Sequence, residues 1–393
     1  MAPSQDPSRQ KEPIELDGRT HEGGGQLLRN ALVLSSLTST PLRITHIRGN
    51  RSGGGGLKAQ HLACVNWLAH ATNAHVEGAE KGSKTLEFRP GVVEGLSPAF
   101  EERTLEGGEE VYAAKLEIGT AGSTSLALQA VLPFILFSKF PEHRKVFIAQ
   151  VLLPTLARIG LPHIIPSLTK RGWSTGGTTI GSFTLSIPPQ TLPLPTFTLT
   201  PETPQTKPSN IHATILAPTT LHTHITTILP TTLSRYFPSV PLTITTESSL
   251  SEKRLYILLT ATYPHNTHIL AADHLHVRKI RSLERAATEM IELVASNLAR
   301  EVESGACVDE HLRDQLVIFQ ALAQGRSVVY PGEEDGELRE PSLHARTAEW
   351  VARRMLGVRF DAEGVCEGVG FGREDGDGVE GVVRGLEEVS LGD

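Results

Sequence analysis

The sequence predicts an α+β fold in which a unit of two helices and a β-sheet occurs three times, with a small β-α-β-type domain inserted before the last unit. Pairs of segments with helical periodicity, accompanied by strand-like runs, recur along the chain. Residues 188–241 differ in composition, since they hold 11 of the 25 prolines, much threonine and little charge. Both chain ends are polar or acidic with little to bury, which is typical of unstructured tails.

Apolar residues spaced three and four positions apart predict seven helices outside the proline-rich stretch. These helices span residues 25–37, 57–72, 123–138, 147–159, 283–302, 310–323 and 343–355. Strands are expected at 41–46, 85–89 and 182–187. Two helices plus strands, repeated, favour an α+β architecture over one doubly wound sheet.

The proline-rich region predicts a separate small domain, because dense proline prevents long helices and central strands. Within it we expect one helix at 221–233 and strands at 211–217, 242–246 and 255–260. The predicted organisation is a disordered tail at 1–12, a discontinuous large domain at 13–187 and 276–371, the insert at 188–275, and an acidic glycine-rich tail at 372–393.

Composition excludes several classes of protein. The net charge of −7 provides no global positive field, which disfavours a protein that coats nucleic acid but allows an enzyme acting on one end of a strand. Cys64, Cys307 and Cys366 are too few and too far apart for a disulfide framework or a four-thiolate zinc site, so we expect buried thiols. The longest apolar run, 126–137, is too short to cross a bilayer and contains Pro133, so we expect an intracellular protein without a membrane segment.

Two glycine-rich motifs are candidates for binding an anion. Gly23–Gly25 precede a predicted helix, where backbone N–H groups can approach a ligand. Glu22 beside them could hold a metal or a hydroxyl, or could simply be a favourable acid at a helix start. Arg48 and Arg51 lie next to Gly53–Gly56 and could grip a phosphate, the alternative being a solvated basic loop.

Three further motifs allow a structural as well as a functional interpretation. They are the loop 119–124, the charged helix start 309–316 and the segment 341–347. A lone histidine such as His344 near a helix start is more often structural than catalytic. The pairs His222/His224 and His274/His276 lack an evident third metal ligand, and no Walker A, dinucleotide-binding or nucleophile-elbow motif is present.

The order of these motifs resembles the RNA 3'-terminal phosphate cyclase family over residues 14–370. The resemblance implies a fold of three α+β repeats with an inserted small domain. The matching segments are 22–26, 47–51, 60–61, 77–83, 121–123, 153–156, 314–316 and 343–344.

The same resemblance implies a reaction in three steps. A histidine attacks the α-phosphate of ATP, which gives a covalent enzyme–AMP and releases pyrophosphate. AMP then passes to an RNA 3'-phosphate, and the neighbouring 2'-hydroxyl attacks that activated phosphate to form a 2',3'-cyclic end. A phosphate monoester is a poor electrophile, so attaching AMP supplies the leaving group that cyclisation needs.

The resemblance also implies roles for individual residues, with His344 as the nucleophile. The ATP-contacting positions are Gln129, His311, Leu312, Arg313, Asp314 and Gln315. The RNA phosphate would be held by Arg48, Arg51 and Gln60, and Glu22 would serve a metal site. ATP and Mg²⁺ are therefore the expected cofactors, RNA with a 3'-phosphate is the expected partner, no DNA specificity is expected, and the expected location is the nucleus.

Two departures from the family pattern affect the second repeat. The junction at 140–146 is shorter than the family's loop, and 171–178 lacks the proline and third glycine of its signature. We therefore expect AMP loading to be better preserved than RNA cyclisation. The alternative is a non-catalytic family member acting in rRNA processing or ribosome assembly, against which the presence of His344 argues.

Overall fold

The structure is a computed structural model that describes most of the chain. The described residues are 11–104, 108, 110–118, 124–138, 151–170, 172–173, 181–188, 193–201, 207–264, 268–276 and 282–372. The shortened junction at 140–146, the glycine loop at 119–123 and most of the signature at 171–178 lie outside them, as do the tails before residue 11 and after residue 372.

The N-terminal unit builds one small sheet from alternating strands and helices. Its elements are β1 (Ile14–Asp17), α1 (Gly25–Thr38), β2 (Leu42–Thr45), α2 (Ala59–Ala71), β3 (His75–Glu77) and β4 (Leu86–Arg89). The parallel strands β1 and β2 are joined through α1, and the sheet order is β1-β2-β4-β3. Alternate residues of β2 and β4 point into the core, which buries Leu42, Ile44, Leu86 and Phe88. The predicted helices and strands of this unit are confirmed.

Helix α1 lies at the centre of the large core. All of its residues are buried, and it packs against α2 and against two later helices, α3 (Thr124–Phe137) and α8 (Leu343–Leu356). A helix that is apolar on most faces is stable only when it is surrounded. Its amide and charged side chains, Gln26, Arg29 and Asn30, all lie in the first two turns, so the beginning of α1 is where a buried polar site can form.

The middle of the chain adds helices to this core and two small ribbons. These elements are β5 (Glu101–Thr104), β6 (Glu110–Ala113), α3, α4 (Leu152–Arg158), β7 (Ile165–Lys170), β8 (Ser182–Ser186) and β9 (Thr198–Leu199). β5 pairs with β6, and β7 with β8, both antiparallel. The described part of the predicted helix at 147–159 begins at Leu152, and the predicted strand at 182–187 is β8.

A second hydrophobic core forms around a four-stranded sheet. Its elements are β10 (Asn210–Ala217), α5 (Thr219–Tyr236), β11 (Leu242–Ser248), β12 (Tyr256–Thr262), β13 (Ile269–Leu275) and α6 (Leu283–Glu303). The strand order in this sheet is β11-β10-β12-β13. The strands β10 and β11 are parallel and are connected by α5. Met290 and Leu298 of α6 belong to this core, so its packing extends beyond residue 275.

The C-terminal elements return to the large core. They are α7 (Glu310–Leu322), β14 (Gln324–Val329), β15 (Glu333–Glu334), β16 (Glu337–Leu338), α8 and β17 (Val365–Val369). β14 pairs with β17 and with β9, and α8 packs against both α7 and α1. Asp309 caps α7 by accepting from the Leu312 N–H at 2.9 Å, and Ser342 caps α8 by accepting from the Ala345 N–H at 3.2 Å.

The α+β class is confirmed, whereas the threefold repetition and the inserted domain stay predictions. Cys64, Cys307 and Cys366 are buried free thiols, as expected, and burial raises the pKa of Cys307 to about 11. Within the described ranges, none of the helices combines the length and the apolar character that a membrane crossing requires.

Candidate functional site

Three helices, α1, α2 and α8, begin at one cleft of about 400 Å³. The residues that line it are Glu22, Gly25, Arg29, Arg48, Arg51, Lys58, Ala59, Gln60, His61, Leu126 and His344. Each helix directs unpaired N–H groups and the positive end of its dipole towards its first turn. Because four of the lining side chains are cations and one is an acid, the cleft is suited to a phosphate-bearing ligand.

His344 lies in the first turn of α8 with its imidazole 45% exposed. Partial burial lowers the pKa of His344, and the nearby charges of Arg29 and Arg51 lower it further. The ring is therefore neutral at physiological pH and carries the nitrogen lone pair that a nucleophile needs.

The carboxylate of Glu22 is the one acid among the described residues that line the cleft. Its side chain is 7% exposed, and one oxygen, Oε1, accepts a hydrogen bond from Arg51. The other oxygen, Oε2, is buried with no hydrogen-bond partner among the described residues, and it lies 3.9 Å from His344 Nδ1. An orphaned carboxylate oxygen costs free energy unless a ligand satisfies it.

This orphaned oxygen fits one coordination position of Mg²⁺. Among the described residues no group of three or more His, Cys, Asp or Glu side chains could hold a metal ion. Mg²⁺ is commonly bound through one or two carboxylates, with phosphate oxygens and water as the other ligands. Glu22 could therefore offer one carboxylate oxygen to a Mg²⁺ ion whose other ligands are phosphate oxygens and water.

The glycines of the 23–25 turn are required by close contacts. Gly23 has φ +58°, and a Cβ there would collide with the side chain of Asn50. A Cβ on Gly24 would collide with the carboxylate of Glu22. Glycine thus lets the turn fold tightly over Glu22 at the beginning of α1.

The predicted pair of arginines is brought to the cleft by the loop after β2. Arg48 has φ +56°, an unfavourable conformation for a residue with a side chain, and its Nη1 donates to the carbonyl of Gly56 at 3.4 Å. Arg51 is held by Glu22. Strained backbone next to charged side chains is characteristic of binding sites.

A buried hydrogen-bond network adjoins the cleft and joins three helices. Arg29 donates from Nε to Gln129 Oε1 at 2.8 Å and from Nη2 to Gln26 Oε1 at 2.7 Å. The amide nitrogens of both glutamines donate to Asp314 Oδ1, at 3.4 Å from Gln26 and 3.3 Å from Gln129. The two amides therefore form a hydrogen-bonded bridge between Arg29 on α1 and Asp314 on α7.

Burial changes the pKa values at both ends of this network. Desolvation lowers the pKa of Arg29 to about 10, which leaves it charged at neutral pH. Desolvation raises the pKa of Asp314 to about 7, although Arg29 and Gln129 oppose the shift. The carboxylate of Asp314 thus titrates near physiological pH.

The other predicted ATP-contacting residues of α7 point in different directions from the helix. Leu312 is buried in the core, Arg313 donates to the carbonyl of Arg339 at 3.2 Å, and Gln315 donates to the carbonyl of His311 at 3.2 Å. None of these three side chains lines the cleft. His311 is exposed and close enough to help lower the pKa of His344. Their assignment to ATP stays a prediction.

Sequence analysis assigned no role to three residues that line the cleft, namely Arg29, Lys58 and His61, although His61 belongs to the matching segment 60–61. Arg29 follows Gly25 by four residues in α1 and therefore lies on the same helix face. Lys58 is the N-cap residue of α2, and His61 follows Gln60 in the first turn of that helix. Spacing from the glycine motifs is the signal that could have identified them.

Of the two His-x-His pairs, His222/His224 has partners within the protein, whereas Nε2 of His276 is buried without a hydrogen-bond partner among the described residues. His222 Nε2 contacts the carbonyl oxygen of Ala217 at 3.1 Å, and His224 Nε2 lies 3.3 Å from the hydroxyl of Thr288. Both residues are on helix α5 rather than on a strand, so their spacing does not place them on one face.

Comparison with known families identifies the family to which most of this chain is similar. A model of the family described as RTC, RNA 3'-terminal phosphate cyclase, matches residues 20–362 of the 393. The match includes the glycine turn, the arginine loop, the second core and the segment that carries His344.

Proposed function

This chain belongs to the RNA 3'-terminal phosphate cyclase family, and we propose that it converts an RNA 3'-terminal phosphate into a 2',3'-cyclic phosphate at the expense of ATP. His344 is the nucleophile and becomes transiently adenylylated. The observation that carries this proposal is a neutral, half-exposed imidazole at a helix start inside a cleft lined by four cations. These are the conditions under which an imidazole nitrogen can attack a phosphorus atom.

In the first step a ring nitrogen of His344 forms a bond to the α-phosphorus of ATP. The bond between that phosphorus and the bridging oxygen breaks, and pyrophosphate leaves with the electron pair. Arg29 and Lys58 stabilise the charge on the phosphates. Mg²⁺, held by Glu22, would supply further neutralisation of this charge when it is bound.

In the second step AMP moves from His344 to the RNA 3'-phosphate, forming a phosphoanhydride and restoring the free imidazole. The 2'-hydroxyl then attacks the terminal phosphorus, loses its proton and expels AMP. We assign the grip on this terminal phosphate to Arg48, Arg51 and Gln60, which line the cleft. Because cyclisation needs a 2'-hydroxyl beside the phosphate, RNA rather than DNA is the substrate for this step.

ATP is assigned to the side of the cleft nearest α3 and α7. Gln129 and Asp314 belong to the buried network around Arg29, and His311 is exposed near His344. Leu312, Arg313 and Gln315 would then act by stabilising α7. Leu312 is buried in the core, Arg313 donates to the carbonyl of Arg339, and Gln315 donates to the carbonyl of His311.

The test is incorporation of label from α-labelled ATP. We expect wild-type protein to give an acid-labile labelled band and His344→Asn to give none. His70→Asn, an exposed histidine in the last turn of α2, is the matched control and should label like wild type. Equal labelling of His344→Asn and wild type would refute the assignment of the nucleophile.

The same experiment separates the proposal from a non-catalytic role in rRNA processing or ribosome assembly, which predicts that wild-type protein takes no label. A nuclear location is part of the proposal on the family resemblance alone. Imaging of a fluorescent fusion of the full chain tests that location independently of the chemistry.

A further inference from the structure

His61 has an unusual position in the cleft. It is 3% exposed, lies in the first turn of α2 and lines the cleft together with Gly25 and Arg29. Its ring nitrogen Nδ1 accepts a hydrogen bond from the backbone N–H of Lys58 at 3.2 Å. The side chain thus satisfies one of the amide groups at the helix start that have no partner in the helix.

This contact determines which ring nitrogen carries the proton. A neutral imidazole has one N–H, and because Nδ1 accepts a hydrogen bond, the proton must be on Nε2. A proton on Nδ1 would point directly at the backbone N–H of Lys58, and two hydrogen-bond donors repel each other. In agreement, burial and the charges of Arg29, Arg48 and Lys58 lower the pKa of His61 to about 3. His61 is therefore a neutral donor at physiological pH.

The donor nitrogen faces the beginning of α1. A Cβ atom placed on Gly25 would lie 2.8 Å from His61 Nε2 and 2.7 Å from Arg29 Nη1. Nε2 has no hydrogen-bond partner among the described residues. Gly24, the residue before α1, provides no side-chain cap, so the first N–H groups of α1 are directed at the same place. The Nε2–H of His61, the guanidinium of Arg29 and the first N–H groups of α1 therefore all lie beside Gly25, which has no side chain.

We propose that His61 is a phosphate-binding residue, whose Nε2–H donates a hydrogen bond to a phosphate oxygen seated between Gly25 and Arg29. The proposal rests on the function proposed above, because the phosphate belongs either to ATP or to the RNA end. A neutral donor is suited to this position, since a further cation beside Arg29, Arg48 and Lys58 would be repelled by all three.

Two substitutions separate the two nitrogens of the ring. His61→Asn places an oxygen near the position of Nδ1, so it keeps the cap on Lys58 but removes the Nε2–H donor. His61→Gln places an amide nitrogen near the position of Nε2, so it keeps a donor but loses the cap. Loss of one hydrogen bond predicts pyrophosphate binding about tenfold weaker in His61→Asn. His61→Gln should retain affinity but melt at a lower temperature.

Binding of inorganic pyrophosphate to the full chain is measured by calorimetry, and the imidazole tautomer by ¹⁵N NMR. We expect the Nε2–H tautomer in free protein and a changed Nε2 shift when pyrophosphate binds. An Nδ1–H tautomer, or unchanged pyrophosphate affinity in a folded His61→Asn protein, would overturn the proposal.

Two kinetic measurements distinguish the sources of the phosphate. Slower AMP loading in His61→Asn assigns the oxygen to ATP, and slower cyclisation by enzyme already carrying AMP assigns it to the RNA end. If neither rate changes, the proposal is wrong. If wild-type protein loads no AMP while the tautomer and the pyrophosphate results hold, the proposed function fails and the phosphate site stands.

Discussion

The backbone N–H of Glu22 donates a hydrogen bond to the hydroxyl of Thr347 at 3.2 Å, which joins two segments 325 residues apart in the chain. Thr347 is fully buried, and the same hydroxyl donates to the carbonyl of Leu343 at 2.6 Å. An edge-on contact between His21 and Trp350, with ring centroids 6.3 Å apart, supports the same junction. The glycine turn is thereby held against the first turns of α8, where His344 lies.

Removing the Thr347 hydroxyl should disturb this junction. Thr347→Val preserves the shape of the side chain but leaves the Glu22 N–H without its partner, a loss of about 1–3 kcal/mol of unfolding free energy. AMP loading should fall by more than stability alone explains, because the positions of Glu22 and His344 are no longer linked.

Thr347→Ser keeps the hydroxyl and should recover most of the AMP-loading rate. The measurements are single-turnover labelling and chemical denaturation of the same three proteins. A Val variant that loads AMP at the wild-type rate would show that the junction does not position the site.

Replacing Arg48 and Arg51 together by Ala should impair RNA cyclisation more than AMP loading. Paired guanidinium groups match the oxygens of a terminal phosphate, and in the structure Arg51 is held ready by Glu22. The control is Arg353→Ala with Arg354→Ala, two exposed arginines in the last turn of α8. Equal loss of both steps, in a folded protein, would place the pair in ATP binding instead.

Gly25→Ala should weaken nucleotide binding without unfolding the protein. The added methyl group would approach Arg29 Nη1 and His61 Nε2 within 3 Å, and Arg29 is held by two glutamines and cannot easily move away. Gly53→Ala is the control, because a Cβ there meets nothing within 4 Å. Calorimetry with pyrophosphate compares the two, and equal affinities would contradict the predicted crowding.

Asp314→Asn should stabilise the protein at neutral pH. Because burial raises the pKa of Asp314 from 3.8 to about 7, the folded state holds the proton more tightly than the unfolded state. Wild-type stability must then fall as pH rises through this range, whereas a neutral Asn avoids the cost and keeps an oxygen for both glutamines. Asp335→Asn, in the exposed hairpin, is the control.

The difference in unfolding free energy between Asp314→Asn and wild type should be smallest below pH 3.8 and largest above about pH 7. Denaturation at several pH values measures it. A difference that does not vary with pH would show that the pKa of Asp314 is the same in the folded and unfolded states, and a difference that decreases as pH rises would show that Arg29 lowers this pKa.

The sequence was sufficient to predict most of the secondary structure and part of the site. The periodicity at 25–37 and 343–355 predicts helices that the structure places at Gly25–Thr38 and Leu343–Leu356. The glycines before α1, the arginine loop and His344 were also recognisable. These features are local, because backbone conformation and helix spacing depend on residues close in the chain.

What the sequence alone determined is therefore the α+β class, the helices and the chemical types of some of the cleft residues. Tertiary structure alone decided which of them meet. The packing of α1 against α8 brings Glu22 within 3.9 Å of His344, and α3 and α7 enclose Arg29 with Gln129 and Asp314. Residues such as Leu312 and Arg313, adjacent in sequence to Asp314, turn elsewhere because successive side chains on a helix point about 100° apart. Contacts between distant segments depend on how whole helices pack, and no local pattern encodes that arrangement.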